Sequence, residues 1–132
     1  MAKYVLSLCI LLLVGCATYQ GLSRLGSLES TSKAYGKAMR WGEYQLASSF
    51  IKTQGTDGEN PNLKELEMIK ITSYKPTEQN TSEDKLQAHQ TVEIKYYNTD
   101  CLIEKTLIDK QLWEYDAKQK AWYLQSALPD FK

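Results

Sequence analysis

Apolar residues fall along this chain in three rhythms. Near the start, residues 5–14 form a run of ten mostly apolar positions, preceded by Lys3 and followed by Gly15 and Cys16. Apolar positions then recur every three or four residues. Tyr35, Ala38 and Met39 make one stripe, in a helix that also carries Leu28 and Ala34, and Leu46, Ala47, Phe50 and Ile51 make another. That is the spacing of helices with one buried face. Serines around 27–30 suit a helix start. Gly42 suits the left-handed residue after a helix end, so a second helix is expected from Glu43 after a tight corner. Residues 53–62 hold Gly55, Asp57, Gly58, Asn60 and Pro61, the densest group of breakers. Beyond it the rhythm becomes alternation, which predicts strands over 66–75, 86–97, 102–115 and 121–127, with loops at 76–85, 98–101 and 116–120. Helices first and strands afterwards predict an α+β domain, in which a curved antiparallel sheet of about four strands folds over N-terminal helices.

Side-chain pairing suggests the register, because a one-residue slip exchanges the two faces of a strand. A four-residue loop at 98–101 sets Val92 opposite Leu107, Ile94 opposite Lys105 and Tyr96 opposite Ile103, with Lys95 and Glu104 paired on the other face. A three-residue loop breaks these matches. A four-residue loop at 116–119 sets Trp113 opposite Trp122, an aromatic cross-strand pair. The concave face is then Val92, Ile94, Tyr96, Ile103, Leu107, Trp113, Trp122 and Leu124.

Charge narrows the function. The 132 residues carry 16 basic and 16 acidic side chains, one histidine and three cysteines. With no basic run to meet phosphates, nucleic acid is not an expected partner. The apolar run near the start would rise only about 15 Å as a helix, half of a roughly 30 Å hydrocarbon core, and so reads as a signal peptide. Its end, Leu13-Val14-Gly15-Cys16, resembles the lipobox of bacterial lipoproteins. That resemblance implies cleavage after Gly15, a diacylglyceryl group on the Cys16 sulfur and acylation of the new amine. Two or three acyl chains hold a protein stably on a membrane where one does not. By the same resemblance, Ala17 in place of Asp after the lipidated cysteine favours the periplasmic face of the outer membrane. The inner membrane, or the plasma membrane of a monoderm, is the alternative. The expected division is a signal peptide over 1–15, a short membrane-proximal tether over 16–27 and one domain over 28–132. The mature chain keeps 15 basic and 16 acidic side chains, so attachment would rest on lipid and not on charge. Cys101 is left without an intramolecular partner and is expected to be a buried structural thiol.

The order of elements, the Gly42–Tyr44–Ala47 corner, and a terminal hairpin carrying Gln111, Trp113, Trp122 and Leu124 before Leu128, Pro129, Asp130 and Phe131 resemble the NTF2-like, or SnoaL-like, superfamily of cone-shaped domains. The resemblance spans about residues 28–131. A shorter cystatin-like sheet on a helix is the alternative fold, since the strand and small helix that longer members place before the main sheet are not evident here.

Candidate chemistry is sparse. Enzymes of that superfamily use a pocket Asp with His or Tyr as acid or base, and here His89 reads as exposed at a strand start. No phosphate loop, nucleophile elbow or histidine pair occurs, and neither a metal nor another cofactor is expected. The pocket candidates are Tyr96, Lys105, Asp109, Gln111, Trp113 and Trp122, polar groups converging among aromatics. The preferred alternative for part of that set is a β-bulge at 108–110, which would turn Asp109 outward and bring Ile108 and Leu112 in, with Lys105 reaching the rim. On the opposite face Tyr97, Leu102 and Tyr123 are interface candidates for a homodimer or an envelope protein partner, as the resemblance also implies. The leading expectation is a lipid-anchored periplasmic lipoprotein acting as a non-catalytic protein-binding or scaffolding module. A small-ligand binding protein using the cone is the alternative, followed by a SnoaL-like enzyme with Asp109 as base.

Overall fold

A computed structural model describes residues 2–52 and 63–131, with side chains from residue 19 onward. The breaker cluster at 53–62 lies outside the described residues. One long helix, α1 (Ala2–Arg40), is followed by two short ones, α2 (Tyr44–Ser48) and α3 (Leu63–Leu66). Four strands come next: β1 (Ile69–Thr81), β2 (Gln87–Asn98), β3 (Lys105–Asp116) and β4 (Ala121–Leu124). They form an antiparallel sheet in the order β1-β2-β3-β4, and α1 packs on it. The layout is α+β, as the change of rhythm predicts.

The first correction concerns where the helix starts. It does not begin at 27–30, because α1 is continuous through the segment read as a tether. Gly21 and Gly26 each cost about 1 kcal/mol against alanine in a helix, but no proline interrupts the run, and from Arg24 onward the helix is fixed to the sheet. The Arg24 carbonyl accepts the Trp122 indole N–H at 2.9 Å, and its guanidinium lies 5.3 Å from the Tyr115 ring centroid. The helix ends as expected at Gly42, whose φ is +72°. Gly42 N–H reaches the Met39 carbonyl and Glu43 N–H the Ala38 carbonyl, a Schellman closure. In α2 the inward residues are Tyr44 and Ala47, while Leu46 is exposed.

The face of the sheet turned to α1 carries most of the residues expected inward. Val92, Ile94, Tyr96, Trp113, Trp122 and Leu124 are buried, and Leu107 packs beside them. Ile103 is the exception: it precedes β3 and is 63% exposed. Both hairpin registers are displaced by two residues from those expected. Ile94 pairs with Leu107 and Tyr96 with Lys105; Trp113 pairs with Leu124 and Trp122 with Tyr115. A shift of two preserves the faces and changes only the partners. The wider β2–β3 turn is closed by Asn98, whose carbonyl accepts the amides of Cys101 and Leu102 and whose side chain accepts that of Asp100. Asp116 sets the second turn one residue later than expected, its carboxylate accepting the amides of Lys118 and Gln119.

The bulges also lie elsewhere. Pairing of β2 with β3 is unbroken from Gln87↔Glu114 to Tyr96↔Lys105, so Asp109 stays inward and Ile108 is 53% exposed. The irregularities are in β1, between Ile71 and Ser73 and between Pro76 and Glu78. The expected loop at 76–85 is therefore strand as far as Thr81, since a proline at a bulge on an edge strand costs the sheet no hydrogen bond.

Both sheet edges are covered in part. On β1, Arg40 Nη1 donates to the Ile71 carbonyl at 2.6 Å and Tyr44 OH to that of Ile69 at 2.8 Å. On β4, Leu124 bonds to Phe50 and Lys52 through a parallel bridge at Ile51.

Candidate functional site

Two features of the interface between α1 and the sheet carry polar groups, and Tyr74 belongs to both. The first is a buried network on the helix-facing side of the sheet. Gln111 is 2% exposed. Its amide nitrogen donates to Tyr74 OH at 2.9 Å and to Asp109 Oδ2 at 2.8 Å, and its oxygen accepts the Trp113 indole N–H at 3.1 Å. Alternation along β3 puts 109, 111 and 113 on one face, so the network follows from strand geometry alone. Gln111 thereby spends both amide hydrogens on an acidic and a phenolic oxygen.

Burial raises the Asp109 carboxyl above its usual range, and the Gln111 donor holds the rise back. Burial also raises both phenols. For Tyr74, Gln111 opposes the rise and the Asp109 charge adds to it. For Tyr35, Tyr74 and Asp109 both add to it. The Tyr35 hydroxyl is buried with no hydrogen-bond partner among the described residues, and its ring meets those of Trp113, Phe50 and Tyr74 edge-on. Neutral phenols beside a carboxyl that resists ionisation make a stiff packing motif with one unsatisfied hydroxyl.

The second feature is a groove of about 880 Å³ between α1 and the β1 side of the sheet. Its helix side includes Glu29, Lys33, Gly36, Lys37 and Arg40 with Trp41, and its floor Tyr74, Gln79 and Gln90. Gly36 lets the floor approach the helix, because a Cβ there would lie 2.6 Å from the Tyr74 ring. Arg40 is held by its bond to Ile71 and stacks 5.2 Å from the Trp41 centroid. Gln79 and Gln90 face each other across β1 and β2.

The sequence-derived candidates are dispersed. Asp109, Gln111 and Trp113 come together in the network. Trp122 is in the core, bonded to α1. Tyr96 is buried against Phe131, with ring centroids 4.8 Å apart. Lys105 is exposed at the start of β3. Leu28, Tyr35 and Met39 of α1 pack in the core with Tyr96, Trp113 and Trp122, and none of the six lines the groove. Among the interface candidates, Leu102 is 73% exposed at the β2–β3 turn with φ +54°, while Tyr97 and Tyr123 are half-buried on the outer face. Cys101 is exposed on that turn and not buried. His89 is exposed, as expected.

Sequence reasoning places Tyr35 in the buried stripe of α1 but not beside the network, and it misses Tyr74 and the groove. Gly36 was the available signal, since a glycine inside an apolar helical stripe marks a close approach. Among the described residues no grouping of three or more His, Cys, Asp or Glu could hold a metal, and no helix is long and apolar enough to cross a membrane. The sequence matches no protein-family model and no curated protein.

Proposed function

We propose that this protein is a bacterial envelope lipoprotein, lipidated at Cys16 and held on the periplasmic face of the outer membrane, whose domain is an NTF2-like cone serving as a non-catalytic protein-binding module. The observation that carries the reading is the continuity of α1. After cleavage behind Gly15 the helix would begin at the lipidated residue and meet the sheet at Arg24, eight residues or about 12 Å further on. The anchor and the domain are then one rigid piece, which suits a protein that presents a surface at a fixed height above a membrane.

The non-catalytic part of the reading is supported by the packing of Leu28, Tyr35 and Met39 against the sheet beside Asp109 and by His89, which lies exposed on β2. Growth with an alkyne-tagged palmitate, followed by membrane fractionation, tests the anchor: label and outer-membrane location should both depend on Cys16 and vanish in Cys16→Ser. Label that persists in that variant would contradict it. Crosslinking at native abundance tests the module, which should be recovered with a second protein or a second copy; recovery of monomer alone would contradict it.

A further inference from the structure

We propose that the groove between α1 and β1 is a docking site for an extended acidic peptide segment of a partner protein. This rests on reading the protein as a binding module and names the chemistry of what it binds. Charge is the first argument. Lys33 is paired with Glu29 at 2.7 Å, but Lys37 has no ion-pair partner among the described residues, and the Arg40 bond to Ile71 uses only one end of its guanidinium. Glu29 also lines the groove and offsets Lys33, so the helix side is net cationic at Lys37 and Arg40.

Spacing is the second argument. Lys33 and Lys37 are separated by about 6 Å of helix rise, and Lys37 and Arg40 by about 4.5 Å. Side chains on one face of an extended peptide repeat at about 7 Å. The repeat is longer than the Lys37–Arg40 interval, and the long side chains of Lys37 and Arg40 make up the difference, so two alternate acidic residues of a strand lying along α1 reach both cations.

The floor supplies the third argument. Gln90 is only 7% exposed, lines the groove and makes no side-chain hydrogen bond among the described residues. Its carboxamide opens to the groove, and a peptide backbone offers it both a donor and an acceptor. Trp41 at the groove end is 68% exposed and adds an apolar platform. Recognition is by side chains and not by strand addition, because Pro76 and the irregularity beside it break the hydrogen-bonding edge of β1.

The test uses the full chain in detergent micelles and two fluorescein-labelled hexapeptides, one alternating Glu and Ser, the other Lys and Ser. The acidic peptide should bind and shield Trp41 from iodide, since Trp113 and Trp122 are buried and already protected. The basic peptide should not bind. Lys37→Glu should weaken binding about tenfold or more, equivalent to about 1.4 kcal/mol, and Cys16→Ser should leave it unchanged. Equal binding of both peptides, unchanged affinity in Lys37→Glu, or equal competition by free citrate would overturn the proposal. In cells, a crosslinked partner that persists in Lys37→Glu would refute the groove while leaving the binding-module reading intact. Loss of any crosslink in the unaltered protein would refute that reading itself.

Discussion

Gly36 of α1 lies against the ring of Tyr74 in β1 so closely that a methyl group at residue 36 would sit 2.6 Å from Tyr74 Cε1. The ring has little freedom to retreat, because Gln111 holds its hydroxyl from the far side at 2.9 Å. A helix normally gains about 1 kcal/mol when glycine becomes alanine, whereas overpacking a tight contact costs about 1 to 3 kcal/mol. Gly36→Ala should therefore lower Tm, and the same change in a Tyr74→Ala background should be neutral or stabilising. A higher Tm in the unaltered background would show that α1 and β1 can separate without penalty.

Asp109 sets a pH dependence of definite sign. Its carboxyl is raised in the folded protein, chiefly by burial, so as pH climbs the unfolded chain releases this proton before the folded one. Stability from this group is highest in acid and falls as pH rises through the raised range, after which the penalty stays constant. Asp109→Asn keeps an acceptor for Gln111 and removes the charge. The variant should be more stable than the unaltered protein at about pH 7, with the difference shrinking to nothing by about pH 3. A variant less stable at neutral pH would mean that the carboxylate is favoured in place.

Trp122 links the last strand to the first helix. It is 2% exposed and donates to the Arg24 carbonyl. Trp122→Ala should cost about 3 to 5 kcal/mol as a large core truncation, a substantial part of the roughly 5 to 15 kcal/mol of an ordinary domain. Trp122→Phe, which keeps most of the bulk, should lose about 1 kcal/mol for the hydrogen bond. An unchanged Tm in the alanine variant would place Trp122 outside the core.

Much of this architecture is legible in the sequence for one reason: alternation fixes which face a strand residue occupies. Alternation puts Val92, Ile94, Tyr96, Trp113 and Leu124 inward, and they are buried although both hairpin registers differ by two from the expected ones, because such a shift leaves parity untouched. The partners were not legible, since Ile94 facing Leu107 and Val92 facing Leu107 are equally apolar. The turn chemistry of Asn98 and Asp116 decided between them. Pro76 suggested a loop because its edge position depends on the order of strands in the sheet, which no local pattern states. The groove was illegible for the same reason: Lys37 and Gln90 come together only once α1 is laid along β1.

Cys101 offers a direct check on the β2–β3 turn. Exposed there, it should react with a maleimide in the folded protein without denaturant. If Cys16 carries lipid, the mature chain should take up one label. No reaction before unfolding would return Cys101 to the interior.

The lipoprotein reading is tested most directly by the intact mass of the protein extracted from membranes of its own cells. The predicted mass is that of residues 16–132 carrying a diacylglyceryl group on Cys16, with or without an acyl chain on its amine. A chain that retains residues 1–15, or one with an unmodified Cys16, would contradict it.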